Sequence, residues 1–440
     1  MRILHYSLGL PPYRSGGFTK YATDLMKEQV MLGYHVYLLY PGGISVCGKP
    51  KIKQRHDVEG IVPYEIINSL PVSLYHGIKN PSDFISEKNN KQLFSKFIDH
   101  IKPDIIHVHT LMGLDKELLI VAKERKIKIV FTTHDFYGLC MRCTFIDIKN
   151  KLCDAPTSLR CAWCSQNAKG KAFLRFRNEP FVIKLKNKLH KSYSAPLNID
   201  SEIIDIDNFK NLANDYKRLI GYYSDIFGLI DKFHFNSSVT ETIYRKYLGN
   251  INGEVIPITN SDIKDNRSVG FTCGKTLKMI FVGHTDAFKG FPLLKSVLLE
   301  LQQYDWRLEV WGGNEGNDPD STKIIYKGRY TKEDLHKIYC NCTLAIVPSQ
   351  WYETFSFVTL EALSYGVPAL VSDHVGAKTI VCEYAPSFIY SSREKLKERL
   401  ESIMKDRSSV LTYHKKILNM PWHHDMSEHC QEITKKIYNQ

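Results

Sequence analysis

Two glutamates flank a short turn in which a predicted strand is followed by a predicted helix. Glu353 and Glu361 are separated by seven residues, the strand ends at Pro348, and the helix begins near Ser356. The first amides of a helix lack intrahelical partners and lie at its positive end, so they attract an anion. A carboxylate can accept hydrogen bonds from two hydroxyl groups at once, and a sugar or ribose carries such neighbouring hydroxyls. The pattern indicates a ligand with both phosphate and sugar, although a loop charge and a solvated helix residue would also explain the two glutamates.

The amides at the start of that helix form a candidate phosphate site. They belong to Phe355, Ser356, Phe357 and Val358.

Five cysteines are concentrated between residues 140 and 164. They include two C-x2-C pairs, with seventeen residues between the pairs. This spacing is typical of a four-thiolate zinc site, and we predict a structural zinc that takes no part in chemistry. An iron–sulfur cluster or simply reduced thiols are the alternatives. The predicted ligands are Cys140, Cys143, Cys161 and Cys164, and Cys153 is one sulfur too many for a tetrahedron.

Residues 169–191, which we call the basic segment, combine positive charge with interleaved apolar residues. They include eight lysines and arginines against one acid, Glu179. A basic amphipathic segment can lie on an anionic membrane leaflet, where each cation contributes about 1 kcal/mol. A basic helix pair that covers a domain is the alternative. No RNA-binding aromatic pattern accompanies the segment, so we expect no nucleic-acid partner.

The composition is that of a globular protein with a basic excess. The 440 residues carry 59 Lys+Arg against 47 Asp+Glu, a net charge of +12, which favours a polyanionic partner. A hydrophobic share of 43% with scattered glycine and proline excludes collagen-like, low-complexity and disordered chains. No apolar run approaches the roughly 18 residues of a bilayer span, and the start of the chain lacks a secretory signal pattern. We therefore expect a cytoplasmic protein with mostly reduced cysteines.

Alternating strand-like and helix-like segments must position these residues. A first series predicts strands at residues 2–7, 35–40, 104–109 and 127–133, and helices at residues 18–32, 89–101 and 116–126. A second series of the same kind begins at residue 277. Such alternation predicts parallel sheets covered by helices on both faces. Ligands of these sheets bind at the carboxyl ends of the strands.

The length and the two series predict two α/β domains. The expected boundaries are residues 1–257 for the first domain, with a Cys-rich insertion at 140–164, and 258–420 for the second. Residues 258–275 are polar and are expected to form the hinge between them.

The segment P-S-x-W-Y-E-x-F, followed by E-A-L-S-Y-G-V-P, resembles the E-x7-E signature of family 4 glycosyltransferases. These are retaining enzymes of the GT-B fold, and the resemblance extends over nearly the whole chain. Further matching pieces, in chain order, are Gly16-Gly17, residues 103–109, residues 133–135, residues 281–283 with Lys289-Gly290, and residues 312–316. The resemblance implies GT-B architecture, with two Rossmann-like domains facing a cleft. It also implies that residues 421–440 form a helix that returns to the first domain.

The resemblance assigns roles to the residues of the second domain. Glu353 would hold hydroxyls of the donor sugar and Glu361 the ribose, while the helix amides bind phosphate. Lys289 would face the diphosphate as a compact cation. No D-x-D-like acidic pair stands in a suitable place, so catalysis without a metal cofactor is expected. The family has an arginine where this chain has His284, and a neutral imidazole donates one hydrogen bond without charge.

In the first domain the resemblance implies that His134 lies beside the donor sugar. Gly16 and Gly17 would approach the donor phosphate and sugar, since glycine has no Cβ to keep a ligand away. A histidine satisfied by backbone at a strand end is the alternative for His134. His107 and His109 alternate along one strand face and are interpreted as structural.

The expected activity is retaining transfer of a sugar from a nucleotide-sugar donor to a glycan acceptor. We expect the acceptor to be lipid-linked, in surface polysaccharide biosynthesis at the inner face of the cell membrane. The alternatives are a nucleotide-sugar 2-epimerase of the same fold and a non-catalytic zinc-knuckle scaffold.

Overall fold

The chain folds into two units, each built around one sheet. The computed structural model describes residues 1–45, 48–86, 90–188, 205–267 and 273–439. Unit 1 comprises Met1–Asn236, Glu241–Ile256 and Met426–Gln440, and unit 2 comprises Ser237–Thr240 and Pro257–Asp425. Part of the predicted hinge, residues 268–272, lies outside the described residues.

The sheet of unit 1 has eight strands in the order β3-β4-β2-β1-β5-β6-β7-β8. All neighbours pair in parallel except β3, which runs antiparallel to β4 at the edge. The inner strands are short apolar runs buried on both faces, as expected for a parallel sheet under two helical layers. The strands are β1 (Arg2–Tyr6), β2 (His35–Pro41), β3 (Lys51–Gln54), β4 (Ile61–Ile67), β5 (Ile105–Val108), β6 (Lys128–Thr132), β7 (Lys232–Phe235) and β8 (Gly253–Val255).

The described residues up to the end of this sheet form eight α-helices. They are α1 (Gly17–Met31), α2 (Lys91–Ile101), α3 (Lys116–Glu124), α4 (Ser158–Cys164), α5 (Lys171–Arg177), α6 (Pro180–Lys188), α7 (Ala213–Gly228) and α8 (Ser238–Leu248). Local chemistry sets several of their ends. Asp115, for example, caps α3 by accepting from the Glu117 amide at 2.9 Å.

The sheet of unit 2 has seven strands in the order β11-β12-β10-β9-β13-β14-β15. Only its edge strand β11 runs antiparallel among the strands described. The strands are β9 (Leu277–Val282), β10 (Trp306–Trp311), β11 (Glu315–Asn317), β12 (Ile324–Gly328), β13 (Leu344–Val347), β14 (Ala369–Ser372) and β15 (Ile389–Tyr390). The helices are α9 (Phe291–Leu299), α10 (Leu335–Cys340), α11 (Phe357–Ser364), α12 (Lys378–Tyr384), α13 (Arg393–Lys405) and α14 (Ser408–Asn419).

The last helix belongs to unit 1, although it follows unit 2 in the chain. It is α15 (Met426–Ile433), continued by a π-helical turn at Thr434–Tyr438. Ile433, Ile437 and Tyr438 are buried in one apolar cluster with residues of β1, β5 and β6. Unit 1 is therefore assembled from chain segments on both sides of unit 2.

The Cys-rich insertion and the basic segment both lie between β6 and β7. The basic segment forms α5 and α6, and its last residues, 189–191, lie outside the described residues, as do the side chains of residues 186–188. None of the helices that the structure describes combines the length and the apolar character needed to cross a bilayer.

Candidate functional site

The turn after β9 packs closely against the end of β13. A 3₁₀ turn, Ala287–Lys289, leads into Gly290, which has φ +78° and precedes α9. A Cβ on Gly290 would lie 1.7 Å from the carbonyl oxygen of Pro348. The Gln350 amide also donates to the Phe288 carbonyl at 2.8 Å. Only glycine permits this approach, and the approach places Lys289 beside the loop that follows β13.

Lys289 and Glu353 form an ion pair at this junction. Nζ of Lys289 lies 2.8 Å from Oε1 of Glu353, and the two side chains are 25% and 15% exposed. The Ser349 hydroxyl donates to the other carboxylate oxygen of Glu353. The Lys289 ammonium also lies 5.1 Å from the ring centroid of Trp351, a cation–π contact. The sequence predicted both charged residues, and the structure brings them together although 64 residues separate them.

A third loop fixes the backbone of Glu353. Its amide donates to the His374 carbonyl at 3.1 Å, and the Gly376 amide donates to the Glu353 carbonyl at 2.8 Å. His374 and Gly376 follow β14. The loops after β9, β13 and β14 thus converge at the carboxyl edge of the sheet, where ligands of parallel sheets bind.

Helix α11 begins beside this convergence with an unusual backbone geometry. Ser356 precedes the helix with φ 101° and ψ 91°, and no side chain caps the first amides. Phe355 is buried, and its carbonyl accepts from the Ala377 amide at 2.8 Å. Helix α11 begins at Phe357, close to the predicted start near Ser356, and its first amides are those of Phe357 and Val358.

Glu361 lies on α11 and is half-buried. The hydroxyl of Tyr339 donates to its Oε2 at 3.0 Å. Burial raises the pKa of the Glu361 carboxyl, and the Tyr339 bond offsets only part of that rise. Glu361 is therefore not a solvated helix residue, the alternative that the sequence left open, because its side chain is half-buried and hydrogen-bonded.

His284 follows Gly283 at the end of β9. Its side chain is exposed, and Gly283 has φ +142° with open space around the position of a Cβ. Gly312, at the end of the neighbouring β10, comes so close that its own Cβ would lie 2.9 Å from the Gly283 carbonyl oxygen.

In unit 1 the predicted residues gather around the start of α1. Gly16 precedes the helix with φ +110°, and nothing lies within 4 Å of where its Cβ would be. Phe18 and Tyr21, on the first turns of α1, each pack a ring 4.9 Å from the His134 ring. His134 thus packs against the first turns of α1, the helix that begins at Gly17 directly after Gly16.

His134 is buried and donates or accepts at the ring of a second histidine. Its Nε2 lies 3.2 Å from Nδ1 of His109. Burial lowers the pKa of His134 well below the usual value, so the ring is neutral at neutral pH. Burial also raises the pKa of the adjacent Asp135 to about 6.

Four further residues, which the sequence analysis missed, extend the buried hydrogen bonds that begin at His109. His5, Gln29, His234 and Tyr438 lie on four different elements and are connected through buried hydrogen bonds. The alternation of His107 and His109 was the one local signal, because the other members are separated from them by many tens of residues.

The cysteines of the insertion are free thiols, and four of the five are buried. Burial raises the pKa of Cys164 to about 12, and the pKa values of the other four are raised for the same reason. Cys143 donates to the Leu74 carbonyl at 3.2 Å. Within the described ranges, the group of three or more metal-ligating atoms within 4.8 Å of one another consists of His5, His107 and His109. The four predicted thiols are not part of this group, and a zinc bound by them stays a prediction.

Two family models match the chain, one in each unit. Residues 15–159 match "Glycosyltransferase Family 4", and residues 262–417 match "Glycosyl transferases group 1". Together these matches cover well over half of the chain. The chain belongs to glycosyltransferase family 4.

Two curated relatives share parts of this family 4 chain. An uncharacterized 41.2 kDa protein in the cps region of Klebsiella pneumoniae is 24% identical over 110 residues, 24% of this chain and 30% of the relative. An uncharacterized glycosyltransferase of Methanocaldococcus jannaschii is 26% identical over 129 residues, 27% of this chain and 33% of the relative. The matched stretches span about a third of the length of these relatives.

Solved structures of low sequence identity share the fold along the whole chain. HepE of Anabaena in complex with UDP has a TM-score of 0.57 at 12% identity, with 100% of each chain covered. A glycosyltransferase of Rickettsia africae has a TM-score of 0.56 at 15% identity, covering 100% of this chain and 99% of its own. The trehalose-6-phosphate structure from E. coli has a TM-score of 0.56 at 13% identity, covering 100% and 99%. The predicted GT-B architecture of two Rossmann-like α/β domains is confirmed.

Proposed function

We propose that this family 4 member is a retaining glycosyltransferase that moves a sugar from a nucleotide-sugar donor to a glycan acceptor. The observation that carries the proposal is the Lys289–Glu353 pair at the carboxyl edge of the unit 2 sheet. A cation and a carboxylate held side by side suit a ligand that has both diphosphate and sugar hydroxyls. Two loops and a glycine contact fix the pair before any ligand arrives, which is the preorganisation that charge stabilisation requires.

Each polar group has a role in this proposal. Lys289 stabilises the charge that develops on the leaving diphosphate, and the Phe355, Ser356, Phe357 and Val358 segment binds phosphate through the amides at the start of α11. Glu353 holds hydroxyls of the transferred sugar. Glu361, half-buried beside Tyr339, holds the ribose. The charge stabilisation comes from a fixed ammonium and helix amides, so the proposed reaction needs no metal cofactor.

We propose a further role for His284 in unit 2, and roles for Gly16, Gly17 and His134 in unit 1. His284 is exposed at the end of β9, where a ring nitrogen can donate to a diphosphate oxygen. In unit 1, Gly16 and Gly17 allow close approach of the substrate, and His134 contacts the sugar. For retention we propose front-face substitution, in which the leaving diphosphate takes the proton of the acceptor hydroxyl.

The similar solved structures support a nucleotide-sugar donor and a surface-glycan role. HepE of Anabaena is in complex with UDP and glucose in one structure, and the E. coli structure is bound with UDP-2-fluoro glucose. WaaG is described as a glycosyltransferase involved in lipopolysaccharide biosynthesis. We therefore propose a lipid-linked or oligosaccharide acceptor of a bacterial surface polysaccharide.

The test begins with donor hydrolysis by the purified protein. Nucleotide sugars are incubated with it singly, and the released sugar and nucleotide are identified by mass. With a competent donor, Lys289→Ala and Glu353→Ala should each lower kcat by about a hundredfold or more, since each removes one preorganised charge contact. NMR of the product then reports whether the anomeric configuration is retained.

Unit 2 contains a matched control pair. Lys327 and Glu309 are 3.2 Å apart, comparably exposed, and Lys327 lies 6.0 Å from the Trp311 ring centroid. Lys327→Ala and Glu309→Ala should leave kcat within about twofold, because surface ion pairs contribute little. Full activity of Lys289→Ala and Glu353→Ala would refute the assignment of this site.

We also propose that the basic segment docks on an anionic membrane surface. On α5 and α6 four large apolar side chains are exposed, with Phe176 at 63% and Phe181 at 73%. Several cations of the segment are engaged inside unit 1, since Lys171 pairs with Asp83 at 3.2 Å and Arg175 donates to the Ser69 carbonyl. The exposed rings, together with the exposed Lys169 and Lys184, are then the membrane contacts.

Cosedimentation with vesicles tests the docking. A Phe176→Ser, Phe181→Ser variant should lose most binding to vesicles that contain anionic lipid, since burying each ring contributes about 2 kcal/mol. Leu411→Ser with Leu418→Ser is the control, because both side chains are about 40% exposed on α14 of unit 2. Equal binding by both double variants would exclude the segment as the docking site.

A structural zinc in the Cys-rich insertion stays a proposal. Elemental analysis of the purified protein tests it, and about one zinc per chain that is lost on substitution of Cys140 or Cys161 would support the predicted thiolate site. Protein free of zinc and iron would refute it.

A further inference from the structure

Three loops of unit 1 bring a carboxylate near a tyrosine hydroxyl. Tyr75 lies in the loop after β4, Thr110 follows β5, and Asp135 follows β6. These strands run in the same direction, because each successive pair from β4 through β2, β1 and β5 to β6 is parallel. The three residues therefore lie at the carboxyl edge of the sheet, where ligands of parallel sheets bind.

The carboxylate of Asp135 is held in place but not saturated with hydrogen bonds. Its Oδ1 accepts from the Tyr137 amide at 2.8 Å, and its Oδ2 accepts from the Thr110 hydroxyl at 3.2 Å. The Thr110 oxygen accepts in turn from the Met112 amide at 3.2 Å, which fixes the position of that hydroxyl. Each carboxylate oxygen can accept two hydrogens, so one position remains on each oxygen of Asp135.

A negative charge at Asp135 is more than the local turn requires. An asparagine there would accept from the Tyr137 amide equally well, because Asn and Asp form the same turn. Burial raises the pKa of Asp135 to about 6, and none of the lysines and arginines that the structure describes pairs with it. A charge held in such a place without a cation is unfavourable, so hydrogen-bond donors from a ligand would stabilise it.

Tyr75 exposes its ring but not its hydroxyl. The side chain is 48% exposed, yet burial raises the pKa of the hydroxyl, and Cys143 and Asp135 raise it further. This hydroxyl forms no hydrogen bond with any residue in the part of the chain that the structure describes. A polar group that is shielded from water without a partner is unfavourable, so Tyr75 also offers a site to a ligand.

The Cys-rich insertion fixes the loop that carries Tyr75. Leu74 has φ +51° and Gly77 has φ +73°, so the chain turns sharply on both sides of Tyr75. The Ile78 amide donates to the Ser165 hydroxyl at 3.3 Å, and a Cβ on Gly77 would lie 3.0 Å from the same oxygen. The insertion therefore positions Tyr75 before a ligand arrives.

Tyr75 and Asp135 are close to each other but are not bonded. The charge of Asp135 affects the pKa of Tyr75, although no hydrogen bond between the two is found among the described residues. A ligand group that joins them must accept from the Tyr75 hydroxyl and donate to the Asp135 carboxylate. A sugar hydroxyl does both, whereas an ammonium only donates. A phosphate or carboxylate oxygen only accepts, and the charge of Asp135 repels it.

We propose that Tyr75 and Asp135 bind an uncharged sugar residue of the glycan acceptor, one of whose hydroxyls accepts from Tyr75 and donates to Asp135. This inference rests on the proposed function for the identification of the ligand as the acceptor. The exposed ring of Tyr75 packs against the C–H face of the same sugar, since an aromatic ring offers apolar area beside its polar hydroxyl. The acceptor residue bound here accordingly carries neither a phosphate nor a carboxylate.

The test measures the binding of simple sugars to the full chain without a donor. The probes are the methyl glycosides of glucose, galactose and mannose, together with the phosphorylated and the uronate form of each. Saturation-transfer difference NMR at neutral pH gives the dissociation constants. We expect the wild type to bind at least one neutral glycoside, and to bind the charged forms of that sugar about tenfold more weakly or worse, because like charges repel.

Two variants remove one polar group each. Tyr75→Phe loses the hydroxyl and keeps the ring, and Asp135→Asn loses the charge and keeps the turn. Each should weaken binding of the neutral glycoside about three- to tenfold, the effect of one hydrogen bond. Asp135→Asn should also bring the phosphorylated sugar to within about threefold of the neutral one, because the repulsion is gone.

Matched controls separate binding from structure. Asp115 is another carboxylate whose pKa is raised by burial, and it too accepts from the amide two residues further on, at 2.9 Å. Tyr64 donates from its hydroxyl to Gln54 at 3.4 Å. Asp115→Asn and Tyr64→Phe should bind the sugars as the wild type does. A merely structural role of Asp135 would lower the Tm of Asp135→Asn, as of Asp115→Asn, without changing sugar affinity.

Three results would overturn the inference. They are a wild type that binds none of the neutral glycosides, charged forms that bind as tightly as the neutral ones, and wild-type affinity in Tyr75→Phe or Asp135→Asn. Failure of the proposed function would look different. It would show as absent donor hydrolysis or as full activity of Lys289→Ala, both measured without any acceptor sugar, while the sugar affinities would be unaffected.

Discussion

A single residue at the start of α11 adopts a backbone conformation that side chains rarely tolerate. Ser356 has φ 101°, is 7% exposed, and accepts from the Thr359 hydroxyl at 3.2 Å. A residue with a Cβ in such a region costs of order 1–3 kcal/mol, which the surrounding structure must offset. The strain lies at the amides that we propose bind phosphate.

Relieving this strain should stabilise unit 2. Ser356→Gly is expected to raise the free energy of unfolding by about 1 kcal/mol, because the strain removed exceeds the entropy that glycine adds to the unfolded chain. Urea denaturation followed by tryptophan fluorescence measures this. Ser356→Ala keeps the Cβ and should give no gain, so an equal gain in both variants would locate the effect in the hydroxyl.

At the scale of elements, the sequence predicted several inner strands but missed two others, β4 and β7, as well as the edge strands β3 and β11. Inner strands such as β9 and β13 are continuous apolar runs because both faces are covered. The edge strands β3 and β11 are mostly exposed, so no apolar pattern marks them. Their pairing to β4 and β12 is a tertiary effect that residue order does not encode.

The candidate site was likewise predicted only in part. Lys289, Glu353, Glu361 and His134 were predicted from motifs, but the ion pair between the first two depends on the approach of Gly290 to Pro348. The hydrogen bonds of the buried histidines in unit 1 could not be predicted, for a related reason. His5, His107 and His234 lie close together only because the strand order of unit 1 places β1, β5, β6 and β7 next to one another.

The junction of β9 and β13 can be tested through Gly290. Gly290→Ala should destabilise unit 2 by about 2–4 kcal/mol, since the added methyl overlaps the Pro348 carbonyl and the αL backbone disfavours a Cβ. It should also weaken donor binding by moving Lys289. Thermal unfolding and calorimetric titration with the nucleotide diphosphate measure the two effects.

Gly313→Ala is the control for this substitution. Nothing lies within 4 Å of the position of its Cβ, and its φ is not positive. The change should leave both stability and affinity nearly unaltered. A stable Gly290→Ala protein with normal affinity would contradict the role given to the junction.

For the molecule as a whole, buried neutral histidines make unit 1 sensitive to acid. Burial lowers the pKa of His5 and His234 to about 4, and those of His107, His109 and His134 fall well below 6.5. Between pH 6.5 and 4 these histidines bind protons in the unfolded chain but stay neutral in the folded chain. The stability from these groups is therefore present above pH 6.5 and is lost as the pH falls.

Unit 1 should accordingly unfold at lower urea than unit 2 when the pH drops. From pH 7.5 to 5.5, His5 and His234 should each lower the free energy of unfolding by about 1 kcal/mol, and the other three add to this. In unit 2, burial lowers the pKa of His424 to about 4, so the acid effect there should be smaller. Pulse proteolysis in urea, with mass spectrometry of the fragments, assigns the unfolding to each unit. Equal acid shifts in both units would contradict the prediction.

The placement of α15 and the turn after it determines the order in which the protein can be completed during synthesis. The ribosome makes all of Pro257–Asp425 before it makes Met426–Gln440, which belongs to unit 1. Until then the Ile3, Ile105 and Val130 cluster lacks Ile433 and Ile437, and His107 and Gln29 have no Tyr438 between them. The unit that begins translation is therefore the last to finish folding, and the hydrogen bonds of His107 and Gln29 with Tyr438 form only after unit 2 has been synthesised.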